Sequence, residues 1–143
     1  MRTMEGYRFV RTRTVEFRDI DVAGHVNNAV YLTYLETARI DYLREILGVE
    51  SFEDPAVIVA NVNVDFRSPA RFAEVVEIGT RVPRVGTKSF DMEHEVRGGD
   101  GRLVAEATSV LVAYDYGGAA PRPVPDTWRT RLDAFEERSS VPA

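Results

Sequence analysis

The chain contains no cysteine. That excludes disulfides, thiolate metal sites and a cysteine nucleophile, and it suits the cytoplasm. No apolar run approaches the roughly 18 residues that cross a bilayer. The opening stretch, MRTMEGYRFVRTRTVEF, lacks the apolar core of a secretory signal. Positive charge is scarce: 18 Lys and Arg against 23 Asp and Glu leave a net charge of −5. This argues against a nucleic-acid partner, whose phosphates demand a basic surface. It leaves room for a small local cluster that grips one phosphorylated ligand. There is one tryptophan, Trp128, and there are two histidines, His25 and His94.

What is present reads as one domain spanning 1–143. A chain of 143 residues can bury one sizeable core. YRFVRTRTVEF (7–17) is rich in β-branched and aromatic residues and predicts a first strand. NNAVYLTYLETARIDYLREILG (27–48) predicts a long helix, with Leu32, Leu35, Tyr42, Leu43 and Ile46 near helical spacing. Asn27 or Asn28 can cap its start and Gly48 its end. Tyr31, Tyr34, Ala38 and Ile40 widen the apolar stripe, so a helix enclosed by other structure is expected. AVIVANVNVDF (56–66) alternates, with Ile58, Ala60, Val62, Val64 and Phe66 on one side. After a turn at SPAR, strands are expected at 75–85, with a bulge or edge at Pro83, and at 88–97. In the latter, Phe90, Met92, His94 and Val96 share one side. GGDG (98–101) is a hairpin turn and 102–116 the last long strand. A linker (117–125) and a C-terminal helix (126–138) follow, with Trp128 packing that helix onto the body. One long helix with about five antiparallel strands is an α+β layer arrangement.

The chemistry concentrates in RDIDVAGHVNNAVYL (18–32). Asp19 and Asp21 lie two apart and, if extended, point to the same face. Such a pair can do acid–base work or hold a cation, or can simply form a turn and complement a helix dipole. Gly24 fits a turn that needs a positive φ, or lets a ligand approach the backbone. His25 has a side chain suited to proton transfer and sits beside two carboxylates. Asn27 and Asn28 fit helix caps. The first turn they open also carries free N–H groups that can bind a carbonyl oxygen and stabilise an oxyanion. These are the parts of an acyl-transfer site, with no substrate named. His94 fits a core or interface position.

FRDIDVAGHVNNAVYLxYLExAR resembles the hotdog-fold acyl-CoA thioesterases of the 4-hydroxybenzoyl-CoA thioesterase type. It is most similar to their D-x-D-x-x-G-H-V-N-N branch. VNVDFRSPARFAEVVEI, KSF and AEATSVLVAYD also look like that family. The resemblance implies a single hotdog domain, with the sheet wrapping a long central helix. It implies homodimers or homotetramers with active sites at the dimer interface, and neither cofactor nor metal. It implies Asp21 as general base or nucleophile, the Asn28 N–H as the thioester-polarising donor, and His25 as an orienting group. Gly24, Asn27 and Tyr31 would shape the substrate site, with Asn27 holding the loop. Asp19 is left as structural. Lys88 matches a basic position that contacts CoA phosphates in some relatives. Arg84 is a further candidate, and Arg67 and Arg71 flank the SPA turn in a similar way. Glu36 could be the carboxylate of another hotdog branch, or pair with Arg39 at i+3. The expected activity is hydrolysis of an acyl-CoA to a carboxylic acid and CoA. The competing expectations are a non-catalytic acyl-CoA sensor and a hotdog dehydratase or hydratase.

Overall fold

The computed structural model describes residues 4–50 and 57–137. Residue 56 of the expected second strand and residue 138 of the expected last helix lie outside them. The elements run β1 (Phe9–Thr14), a 3-10 turn (Phe17–Asp19), α1 (Asn28–Leu47), β2 (Val57–Phe66), β3 (Val75–Val85), β4 (Ser89–Arg97), β5 (Leu103–Asp115), β6 (Ala120–Pro121) and α2 (Asp126–Glu136). The strands form one antiparallel sheet in the order β1-β3-β4-β5-β2, with the two-residue β6 on the end of β5. The architecture is α+β, as expected.

Alternation decides which sheet face carries α1. On β4, Phe90, Met92, His94 and Val96 are buried, while the residues between them are half-buried. The inward row meets the buried stripe of α1 in two clusters. One gathers Tyr42, Leu43 and Leu47 with Val82, Phe90, Leu111 and Trp128. The other gathers Tyr31, Tyr34 and Leu35 with Val76, Val96 and Val104, at the end where α1 begins. The caps fall where expected. The Asn27 side chain accepts from the Ala29 N–H at 2.9 Å, and Gly48 takes φ 73°. Trp128 is buried edge-on against Phe90, fastening α2.

Several expectations are corrected. β1 ends at Thr14, because residues 17–19 curl into the 3-10 turn. Part of the expected linker forms β6. The alternation of β2 breaks at a register shift between Val59 and Asn61, so Ala60 does not continue the row begun by Ile58. In the single chain α1 rests on the sheet with one side open, and Leu32 is exposed. The apolar width of the helix therefore exceeds what this chain alone covers.

Pro83 does mark a bulge: the β3–β4 register shifts between Arg81 and Arg84. Glu136 of α2 reaches into it. One carboxylate oxygen, Oε2, accepts from the Val82 N–H at 2.8 Å and the Tyr42 hydroxyl at 2.7 Å. One acceptor thus ties α2, β3 and α1 together. Glu136→Ala is expected to cost about 2 kcal/mol in denaturant melts, the usual scale for losing hydrogen bonds to a charged group.

His94 is buried, with Nδ1 3.0 Å from the Thr80 hydroxyl. Burial, then the nearby Arg39 charge, pushes its pKa down to about 3. The folded state therefore holds a neutral ring that the unfolded chain protonates below about 6.5. Stability is expected to be full above that pH and to fall as pH drops toward 3. Thermal melts across that range should show the slope, and His94→Leu should flatten it.

Candidate active site

The loop before α1 is built on a buried carboxylate. Asp19 closes the 3-10 turn and is only 7% exposed. Its Oδ2 accepts from the Glu16 N–H at 2.9 Å and from the Tyr34 hydroxyl at 2.7 Å. Burial and the Asp19 carboxylate both raise the Tyr34 pKa, so the phenol stays protonated as the donor. The Asp19 carbonyl takes the Asn27 N–H at 2.9 Å, which fixes where the helix starts.

Between these anchors the chain makes a tight excursion. Ile20 and Val26 pair across it, and the Asp21 N–H donates to the His25 carbonyl at 2.9 Å. The Gly24 N–H returns to the Asp21 carbonyl at 2.9 Å, and Asp21 Oδ1 accepts from the Ala23 N–H at 2.9 Å. Gly24 has φ 79° and no atom near the place of a Cβ. Its reason is the turn angle, not crowding. The excursion is docked on the segment after β2. The Val26 N–H donates to the Ala70 carbonyl at 2.9 Å, and His25 bridges Arg71. The Ala70 N–H donates to the Tyr31 hydroxyl oxygen at 3.1 Å. Tyr31 is buried, with its ring against Phe66.

Asp19 and Asp21 therefore do not share a face. The intervening turn sends the first inward and leaves the second exposed. Asn28 is exposed as well, and His25 is half-buried. The Ala29 N–H is taken by the Asn27 side chain and the Val30 N–H by the Asn27 carbonyl. No described residue accepts from the Asn28 N–H, the first donor of α1. Between Asp21 and Asn28 the chain thus carries a carboxylate in solvent, a half-buried imidazole and an open helix-start N–H. The partial positive charge of a helix N-terminus favours an oxygen carrying negative charge there.

Other candidates lie elsewhere. Arg84 and Lys88 stand at the far end of the sheet, about 30 Å away along β3 at strand rise. Arg84 faces Asp91 at 3.6 Å, and Lys88 is exposed in the β3–β4 hairpin. Arg67 is held by Glu106 at 2.9 Å. The expected Glu36–Arg39 ion pair is not closed among the described residues. Arg39 instead lines a cavity of about 340 Å³ between α1 and β2, with Ile40, Leu43, Val57, Val59 and Leu111 as apolar wall. No periodicity announced this cavity, because it arises between elements distant in sequence. Phe17 and Phe72 form an exposed edge-to-face pair at 5.8 Å beside the loop. Strand-like composition had hidden Phe17. Among the described residues, no group of three or more His, Asp or Glu is placed to hold a metal.

A helix laid on an antiparallel sheet, with a carboxylate loop at the helix start, defines the class. A family model described as the Thioesterase-like superfamily matches residues 15–132, and the chain belongs to that superfamily. The long-chain acyl-CoA thioesterase FadM of Escherichia coli K12 is 32% identical over 67% of this chain and 75% of its own. The acyl-CoA thioester hydrolase YbgC of Escherichia coli O6:H1 is 27% identical over 78% of this chain and 85% of its own. A crystal structure of a thioesterase with coenzyme A and zinc from Thermus thermophilus superposes with a TM-score of 0.87. It is 38% identical and covers 95% of this chain and 99% of its own.

The two aspartates should separate by experiment. Asp19→Ala is expected to lose about 2–4 kcal/mol in urea melts, since a buried phenol and an amide lose a charged acceptor. Asp21→Ala, on the exposed turn, should stay within about 1 kcal/mol of the parent.

Proposed function

We propose that this chain is a single-domain hotdog acyl-CoA thioesterase that releases a carboxylic acid and CoA. The observation that carries the reading is the open Asn28 N–H at the start of α1, with exposed Asp21 in the turn just before it. In the mechanism the thioester carbonyl oxygen sits on that N–H, and the helix start stabilises the developing oxyanion. Asp21 takes a proton from water as the water oxygen bonds to the carbonyl carbon. Collapse of the tetrahedral intermediate breaks the C–S bond, and the departing thiolate takes up the proton. Direct attack by the Asp21 carboxylate, followed by hydrolysis of the anhydride, reaches the same products. His25 orients water or substrate, Gly24 gives the turn beside the thioester its positive φ, and Asn27 and Tyr31 hold the frame. The FadM and YbgC relatives, named for acyl-CoA thioesters, and the coenzyme A in the Thermus thermophilus structure support this substrate class.

The working form is proposed as a homodimer, or a homotetramer built from it, in the cytoplasm. β2 is a sheet edge, with Val59, Val62 and Phe66 exposed on one face and Ile58 on the other, and such an edge invites another strand. Antiparallel pairing of two β2 edges turns one copy end for end against the other. The hairpin carrying Lys88 and Arg84 then approaches the second copy's Asp21 loop. That would supply cations for CoA phosphates that the loop's own copy holds too far away. The cavity beside α1 would take the acyl group.

The deciding assay is release of free thiol over a panel of acyl-CoAs of different chain length and aromaticity, with acyl-carrier-protein thioesters alongside. Turnover on at least one acyl-CoA is expected. Asp21→Ala should lower kcat by about 10²–10⁴-fold, the usual contribution of a positioned acid–base group. No turnover on any acyl-CoA, or undiminished turnover in that variant, overturns the reading.

A further inference from the structure

We propose that Glu36 and Arg39 form two reciprocal ion pairs across the dimer two-fold, each Arg39 facing Glu36 of the second copy. The inference rests on the β2-to-β2 dimer proposed above. Arg39 is the first observation. Its guanidinium is half-buried at the cavity wall, yet no described residue hydrogen-bonds it or approaches it as an ion pair. Burial lowers its pKa, and the Glu36 charge offsets this only in part. A partly desolvated cation without a contact partner is costly, and a second carboxylate removes that cost.

Position is the second observation. The Tyr31 ring meets Phe66 at one end of β2, and Ile40 and Leu43 share the cavity with Val57 and Val59 at the other. α1 therefore runs antiparallel along β2, and Glu36 and Arg39, which line the same cavity, come between Tyr31 and Leu43 on the helix and so between those two contacts, toward the strand's middle. An antiparallel self-pairing that covers Ile58, Val59, Val62 and Phe66 is centred on that middle. The two α1 helices then pass each other antiparallel, middle to middle. Residues three apart lie on one helix face. Under a two-fold, an acidic and a basic residue on that face meet their opposites, so the patch is self-complementary. The same contact covers the open flank of α1.

The test separates an intermolecular pair from an intrachain one. Dimer dissociation is measured by analytical ultracentrifugation for wild type, Glu36→Arg and Arg39→Glu, each with its circular dichroism, and for an equimolar mixture of the two variants. Wild type is expected to dimerise, and each variant alone to dissociate at least about a hundredfold more readily, because like charges then face each other. Mixing should restore dimers, since one chain then presents two cations and the other two anions. An intrachain pair cannot be repaired by mixing. A monomeric wild type overturns the dimer itself. A dimeric wild type whose variants dissociate normally, or are not rescued by mixing, overturns only the ion pairs. Should Arg39→Glu fail to fold, Glu36→Gln decides: its dimer should lose most of the wild type's salt sensitivity, and an unchanged salt response overturns the pairing.

Discussion

The candidate site depends on one buried carboxylate. Asp19 accepts the Tyr34 phenol and the Glu16 amide with a single oxygen, and its carbonyl accepts the Asn27 amide. Those three bonds join the exit of β1, the second turn of the buried helix stripe and the residue that caps α1. A carboxylate taken from water needs such partners, because desolvation otherwise outweighs what packing returns. With Asp19 fixed, the chain from Ile20 to Val26 must leave and return over a short span. The turn at Asp21–Gly24 is how it does so.

That constraint gives two identical side chains opposite conditions. Asp19 spends its charge on holding the frame. Asp21 makes one short-range bond to the Ala23 amide and otherwise faces solvent. The helix cap divides its labour in the same way. Asn27 uses its side chain and carbonyl on Ala29 and Val30, so the Asn28 donor ahead of them stays open. Capping and carbonyl binding are therefore compatible at one helix start. They use different N–H groups.

Local rules made much of this legible. Cap preferences located both ends of α1, period-two alternation oriented β4, and Pro83 located the bulge, because each depends on neighbours in the chain. The direction of Asp19 was not legible. Two aspartates two apart share a face only in an extended segment, and the 3-10 turn that breaks the extension is set by contact with Tyr34, fifteen positions on. The cavity beside α1 and the Glu136 anchor in the bulge were hidden for the same reason, being long-range pairings. The opposite signal was also present. The apolar width of α1 and β2 exceeds what one chain buries, and sequence reports the surface that must be covered without saying by what.

That excess bears on the chemistry. The loop with Asp21 and the hairpin with Lys88 stand at opposite ends of the sheet, farther apart than one small site can reach. An acidic chain has little positive charge to spare for a phosphorylated carrier, so the position of each exposed cation matters. The proposed antiparallel pairing of β2 edges would convert the separation into proximity, because it exchanges the two ends between copies. The exposed Val59 of β2 and the unmatched Arg39 of α1 line the same cavity. The proposed pairing would cover the first and neutralise the second. On this reading the sheet edge, the helix flank and the divided cations are one feature: the means by which a site with its acid at one end obtains its cations from another copy.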